Sequence, residues 1–102
     1  EARAEVLLDL GGRSWLEWNV VFNREYVGDF PTEMTKHFFA SFCQGAKCNL
    51  HVAAKGENTH HVIEAVFKAF ARSLRMAVRQ EAEGEDGLIL DLEILDFRLP
   101  PL

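Results

Sequence analysis

The feature that most limits how this chain can fold is an uninterrupted helical pattern over residues 59–81. Neither Gly nor Pro occurs in this stretch, and Asn58 and Thr59, where it begins, are both suitable N-cap residues. Its apolar residues recur with the period of an α-helix and form one stripe: Val62, Ala65, Val66, Ala69, Phe70 and Leu74. The pattern predicts a long amphipathic helix that buries one face against another layer of the domain.

A shorter helix is predicted in the first half of the chain. It begins after the N-cap candidate Thr32 and runs to about Gln44, where Gly45 ends it. Several of its apolar residues have helical spacing, and we expect them to face the core: Met34, Phe38, Phe39 and Phe42.

The order of the predicted elements, β-β-α-β-α-β, indicates an α+β fold. Strands are expected at residues 3–9, 15–22, 49–54 and 88–99. Gly11 and Gly12 predict a turn that joins the first two strands as a hairpin. We therefore expect a single domain, in which two helices pack on one face of a four-stranded, mostly antiparallel sheet.

The size and charge of the chain restrict its partners. Its 102 residues, 48% of them hydrophobic, can build one core, but so small a domain is marginally stable and oligomerisation is a common remedy. The net charge of −5 argues against nucleic-acid binding, which needs a basic surface.

No apolar run reaches the ~20 residues of a membrane span, and no signal peptide opens the sequence. We expect a cytoplasmic protein with neither a nucleic acid nor a membrane as partner.

The two cysteines, Cys43 and Cys48, do not have the spacing of a C-x-x-C motif. One pair is also too few for a disulfide scaffold. Both are expected to be free thiols, which agrees with a reducing compartment.

Two adjacent histidines at the start of the long helix are the strongest candidates for chemistry. His60 and Glu64 are four residues apart and share one helix face, with Lys68 one turn further along. His61 is rotated by about 100° from His60, so the two imidazoles cannot readily bind one ion from a regular helix. They can bind two ions, or one ion and a substrate. Imidazole with carboxylate suits Mn²⁺, Zn²⁺ or Fe²⁺ without selecting among them.

Spacing alone leaves a plainer interpretation open. A histidine beside a glutamate on a helix is usually a surface pair, and two histidines also suit an exposed first turn. His37, in the shorter helix, can supply a further ligand or be an ordinary half-buried residue. His51, on the strand at 49–54, is interpreted as structural.

Four segments carry motifs in a fixed order: DLGGR at 9–13, GDFPTEMTKHFFASF at 28–42, LHVAAKGEN at 50–58 and HHVIEAVFKAFARSLR at 60–75. The first resembles D-L-S-G-R, the second G-x-x-x-T-E-M/L-x-x-H-F-F-x-S-F, and the last H-H-x-x-E-x-x-F-K-A-x-A-R-x-L-R. Together they resemble the C-terminal half of imidazoleglycerol-phosphate dehydratase, the lyase of histidine biosynthesis. The resemblance covers about residues 1–80.

The resemblance implies a fold and a cofactor. The family folds as two similar half-domains of the ribosomal protein S5 domain 2-like kind and assembles into large symmetric oligomers. Its two manganese ions are bound by histidines and glutamates from both halves. The positions that match these ligands are His37, His60, His61 and Glu64.

The resemblance also implies a reaction, the loss of water from imidazoleglycerol phosphate to give imidazoleacetol phosphate. Mn²⁺ would stabilise the charge that develops on the substrate's ring. Glu64 and His61 are the expected catalytic residues, which would move protons. Arg13 and Lys68 match residues that face the substrate and its phosphate.

The chain departs from the family in two places. The N-terminal half, which carries its own ligands, is absent, and four ligand positions cannot complete two manganese sites. EAEGEDGLILDLEILDFRLPPL at 81–102 stands where the family has a phosphate-holding S-T/S-K-G segment. We expect a linker and an extra strand there, which would replace the first strand of this half as in a circular permutation.

Three hypotheses follow. In the first, the chain is a half-domain of a manganese-dependent dehydratase, completed by a complementary half or by a second copy of itself. In the second, it is an oligomerising, metal-binding half-domain without turnover, ancestral-like or engineered. A metal-dependent protein with a different substrate is the third.

Overall fold

Two helices cover one face of a four-stranded sheet in the computed structural model, which describes residues 1–82 and 90–95. The elements are β1 (Ala2–Asp9), β2 (Trp15–Val20), β3 (Tyr26–Val27), β4 (Phe30–Pro31), α1 (Glu33–Ala46), β5 (Asn49–Gly56), α2 (Thr59–Ala82) and β6 (Leu90–Leu95). The sheet has the order β2-β5-β1-β6, and β3 and β4 form a separate two-stranded pair. β1 is antiparallel to β5 and β6, whereas β2 is parallel to β5. The predicted α+β fold with a mostly antiparallel sheet is confirmed.

Alternating burial along the strands gives the sheet a covered face and an open face. In β1 the residues of one parity are buried: Ala2, Ala4, Val6 and Leu8. Leu50 and Val52 continue this layer on β5, directly opposite Leu8 and Val6. His51 has the other parity and is exposed on the open face, remote from the helices. The core therefore lies between the sheet and the two helices.

The long predicted helix is present as α2, which lies against β1, β5 and β6. Five residues of its predicted stripe are buried and the sixth, Leu74, is half-buried. Ser73 is also buried, and its hydroxyl donates a hydrogen bond to the carbonyl of Val6 at 3.5 Å. Neither helix within the described residues is long and apolar enough to cross a membrane.

The predicted core face of α1 is only partly correct. Phe39 is fully buried and Phe42 is half-buried, but Met34 and Phe38 are 43% and 46% exposed. The residues of α1 that face the sheet are Thr35, Phe39 and Cys43, one helical turn apart. Met34 and Phe38 each precede a member of this row, so the helical rotation turns them away from the sheet.

The predicted hairpin between the first two strands is wrong. β5 lies between β1 and β2 in the sheet, so these two strands are not hydrogen-bonded neighbours. β2 instead pairs with β5 in parallel, with register partners from Trp15 and Asn49 to Val20 and Ala54. A parallel pair needs a crossover connection, and α1 supplies it.

The ends of α1 also differ from the prediction. Thr32 precedes the helix, but its hydroxyl donates to the carbonyl of Arg24 at 2.8 Å instead of capping α1. The helix continues through Gly45 to Ala46 and ends where Lys47 adopts a left-handed φ of 54°. The predicted linker before residue 88 and the predicted strand residues 88–89 and 96–99 lie outside the described residues.

Candidate functional site

Asn58 fixes the start of α2, where the two adjacent histidines lie. Its side-chain Oδ1 accepts a hydrogen bond from the backbone N–H of His61 at 3.0 Å, and its carbonyl accepts one from Val62 at 3.0 Å. This is the geometry of an N-cap residue, which satisfies backbone N–H groups that have no partner inside the helix. His60 and His61 therefore belong to the first turn of α2.

The two imidazole rings differ in exposure and in orientation. His60 is exposed, whereas His61 is only 8% exposed. Their ring centroids are 5.9 Å apart, and the ring planes lie at 80° to each other. The rings contact edge to face, so they do not present their nitrogens side by side to one ion.

His60 and Glu64 line the same groove on the helix side of the domain. The groove has a volume of about 460 Å³, and its remaining lining residues are apolar: Val27, Phe30, Ile63 and Phe67. One imidazole and one carboxylate thus lie on an apolar surface, one helical turn apart. An apolar groove with a few polar groups is a common form of binding site.

Aromatic rings join α1 to α2 beside this groove. The ring of Phe67 lies 4.9 Å from that of Phe39 and 5.3 Å from that of Phe38. Phe39 also contacts Phe70 at 5.0 Å and Trp18 of β2 at 5.8 Å. These contacts hold the groove wall at Phe67 in place, because Phe39 is completely buried at their centre.

The other predicted site residues are not among those that line the groove of His60 and Glu64. His37 is exposed on α1, and Arg13 is exposed in the loop between β1 and β2. Lys68 is exposed one turn after Glu64 on α2. Among residues 1–82 and 90–95, no three His, Cys, Asp or Glu side chains are arranged to hold one metal ion. The chain thus brings together His60, His61 and Glu64, but not a complete ligand set.

The cysteine thiols lie elsewhere, at the end of α1, and are free as predicted. Burial raises the pKa of the Cys43 thiol to about 12, and the neighbouring Cys48 adds to the rise. Burial also raises the pKa of Cys48. Both thiols therefore stay protonated at neutral pH, which makes them poor nucleophiles and poor metal ligands.

A contact that sequence reasoning missed ties the start of α2 to the loop after β2. Asn23 accepts a hydrogen bond from the hydroxyl of Thr59 at 2.6 Å and donates one to the carbonyl of Glu57 at 3.1 Å. The partners are 34 and 36 residues away in sequence, so no local pattern indicates the contact.

The fold and the site define a class of protein, an α+β domain with two histidines and a glutamate in the first two turns of a long helix. The sequence model of the family described as imidazoleglycerol-phosphate dehydratase matches residues 1–74, well over half of the chain. The chain belongs to this family.

Individual relatives agree with this assignment. The histidine biosynthesis bifunctional protein HisB of Spirosoma linguale is 52% identical over 88 residues, which are 86% of this chain and 23% of that protein. The imidazoleglycerol-phosphate dehydratase of Methanococcoides burtonii is 51% identical over 84 residues, 82% of this chain and 44% of that enzyme. The chain thus spans less than half the length of these relatives.

A solved structure gives the same result for the fold. The crystal structure of imidazoleglycerol-phosphate dehydratase from Staphylococcus aureus superposes with a TM-score of 0.68 at 43% sequence identity. The superposition covers 70% of this chain and 42% of that one. The family fold therefore extends over most of the chain.

Proposed function

We propose that the chain is a half-domain of a manganese-dependent imidazoleglycerol-phosphate dehydratase. The observation that carries the proposal is the placement of His60 and Glu64 in one groove, with His61 beside His60 in the same helical turn. In a chain of this family, imidazole and carboxylate groups at this position are suited to bind a divalent ion.

The donor chemistry fits Mn²⁺, but the number of donors on one chain does not. Imidazole nitrogen and carboxylate oxygen are both acceptable to Mn²⁺, with Zn²⁺ and Fe²⁺ as further candidates. Within the described residues no group of three such side chains is arranged around one point. We therefore propose that His37, His60, His61 and Glu64 each contribute to sites that a second half completes.

The proposed second half is a complementary half-domain or another copy of this chain. An apolar surface beside the site is left partly exposed to solvent. It is made of Phe30, Met34, Phe38 and Phe67, and the first three are 41–46% exposed. We refer to it as the uncovered helix surface. A twofold dimer that buried this surface against itself would bring two copies of the ligands together.

In the assembled form the predicted residues would hold the metal, move protons and bind the phosphate, with His61 and Glu64 serving in the first two of these roles. Bound Mn²⁺ would stabilise the negative charge that develops on the substrate ring. His61 and Glu64 would accept and return protons during the loss of water. The cationic groups of Arg13 and Lys68 would bind the phosphate of imidazoleglycerol phosphate.

The terminal strand has a proposed structural role. β6 pairs with β1 over six residues, from Ala4 and Leu95 to Asp9 and Leu90, at the edge of the sheet. We propose that β6 occupies, beside β1, the place of the first strand of the family's half-domain. The pairing supports a circularly permuted arrangement, because it fills the β1 edge from the other end of the chain.

The second candidate function is a metal-binding, oligomerising half-domain without turnover. The uncovered helix surface, of which Phe30, Met34 and Phe38 are 41–46% exposed, favours an oligomerising role. Both candidates use the same ligands, and they differ in whether substrate is converted.

A dehydration assay tests the proposal and separates the two candidates. Imidazoleglycerol phosphate would be incubated with the chain and Mn²⁺, with and without an N-terminal half-domain from a relative. Turnover that is lost in His60→Ala and Glu64→Ala but retained in His51→Ala supports the dehydratase. His51 is the matched control, because it is an exposed histidine on the open face of the sheet. Mn²⁺ binding with no turnover in either mixture would leave only the second candidate.

A further inference from the structure

We propose that Asn23 is a positioning residue, which holds the first turn of α2 and so places His60 and His61 for metal binding. Asn23 lies in the loop between β2 and β3, far from α2 in sequence. The inference rests on the proposed metal site. It adds to that site a residue that does not itself bind the metal.

Both polar groups of the Asn23 side chain are used, one on each side of Asn58. The carbonyl of Glu57 can only accept a hydrogen bond, so the Asn23 Nδ2 must face it, and the contact is 3.1 Å long. The Asn23 Oδ1 therefore faces the Thr59 hydroxyl, which donates to it at 2.6 Å. One amide thus fixes the residue before the N-cap and the residue after it.

This contact is transmitted to the histidines through Asn58. The Asn58 side chain accepts from the His61 backbone N–H, and its carbonyl accepts from Val62, both at 3.0 Å. These bonds form only while Asn58 keeps its position. Since its two neighbours are tied to Asn23, a loosened loop would release the whole first turn, where helices fray most readily.

The Asn23 contact satisfies a buried residue, Thr59, although Asn23 itself is exposed. Thr59 is only 4% exposed, and Asn23 is the acceptor for its hydroxyl. Without Asn23 this buried hydroxyl would lack its partner unless the turn opened to water. Opening the turn would move His60 and His61, so the substitution would lower metal affinity without removing a ligand.

The test compares Asn23→Ala and Thr59→Val with two controls. Thr59→Ser keeps the hydroxyl and should rescue the Thr59 position. Asn19→Ala removes an exposed asparagine from β2, the strand just before the loop. Two quantities are measured: amide hydrogen exchange of the metal-free chain by NMR, and Mn²⁺ affinity by electron paramagnetic resonance at one chain concentration.

We expect Asn23→Ala and Thr59→Val to speed exchange of the His61 and Val62 amides by about tenfold, as local opening does. Exchange at Leu50, in the core strand β5, should not change. Mn²⁺ affinity should fall by about three- to tenfold, the equivalent of one hydrogen bond. Thr59→Ser and Asn19→Ala should match the wild type in both measurements.

Three results would overturn the role of Asn23. These are unchanged exchange at His61 and Val62, equal acceleration at Leu50, which indicates only global destabilisation, and unchanged Mn²⁺ affinity despite faster local exchange. A wild-type chain that binds no Mn²⁺, alone or with an N-terminal half-domain from a relative, while the local exchange effect persists would instead contradict the proposed function. The two failures are therefore distinguishable.

Discussion

The side-chain oxygen of Asn58 accepts a hydrogen bond from the backbone N–H of His61 at 3.0 Å, so a capping residue directly holds a predicted metal ligand. Replacing Asn58 with Ala should lower the free energy of unfolding by about 1 kcal/mol, because a backbone donor at the helix start loses its acceptor. Urea denaturation measures the change. Asn58→Ser and Asn58→Asp should stay close to the wild type, and equal losses in all three variants would contradict the capping role.

A second prediction concerns the uncovered helix surface. Met34→Lys should weaken self-association by at least about tenfold, because a twofold interface would bury the new charge twice. Sedimentation equilibrium measures the dissociation constant. Val21→Lys is the matched control, since Val21 is a 90% exposed apolar residue outside this surface. If the two variants associate equally well, the surface is not the interface.

The buried thiols predict a fall in stability at alkaline pH. The folded-state pKa of Cys43, about 12, lies above the ordinary thiol value of 9.0. Between these two pKa values the folded chain keeps the Cys43 proton and the unfolded chain loses it. The contribution of the protonated thiol to the free energy of unfolding is therefore complete below pH 9 and is lost as pH rises towards 12. One such thiol contributes a slope of up to about 1.4 kcal/mol per pH unit.

Comparison with Cys43→Ala isolates this effect from other groups that titrate in the same range. The variant should be less stable than the wild type at pH 7 and should have a shallower slope from pH 9 upward, in urea denaturation series. Equal slopes for the two proteins would contradict the assignment.

The β6 pairing predicts that truncation after residue 82 destabilises the sheet. Removing β6 deletes hydrogen bonds along six paired positions and should lower the free energy of unfolding by about 2 kcal/mol or more. It should also expose the β1 edge, so the truncated chain should aggregate more readily. Truncation after residue 95 is the control. Equal stability of the two truncated chains would show that β6 does not support β1.

Local signals predicted the long helix closely, since 59–81 was expected and Thr59–Ala82 is observed. The apolar stripe repeats over several turns, and no residue in the segment breaks a helix.

The hairpin prediction failed because Gly11 and Gly12 indicate a turn but not which strand lies next to which. That choice depends on β5, more than thirty residues later, which occupies the place beside β1.

Helical periodicity also could not separate the two apolar sides of α1. Phe39 faces the sheet and Phe38 does not, although both are phenylalanines in consecutive positions. The spacing of apolar residues shows only that a helix face is hydrophobic. A face that binds another chain can be as apolar as a face that packs in the core. Met34 and Phe38, which were wrongly assigned to the core for this reason, belong to the proposed interface.

The site was predictable as far as it is local. The positions of His60, His61 and Glu64 in the first two turns of α2 follow from sequence spacing and the cap. The contact of Asn23 with Thr59 does not, because it joins residues 36 positions apart through the tertiary fold. His37 and Arg13 join the site only under the proposal that a second half completes it, and no local sequence pattern encodes such contacts.

The stoichiometry of Mn²⁺ binding tests the central claim most directly. Equilibrium dialysis would be combined with a mass measurement of the assembled chain, for the wild type and for His60→Ala, Glu64→Ala and the control His51→Ala. We predict a dimer or larger even-numbered assembly that binds about one Mn²⁺ per chain, lost in the first two variants and kept in the third. A monomer that binds no Mn²⁺ at micromolar concentrations, both alone and with an added N-terminal half-domain from a relative, would contradict the claim. Binding that survives both ligand substitutions would also contradict it.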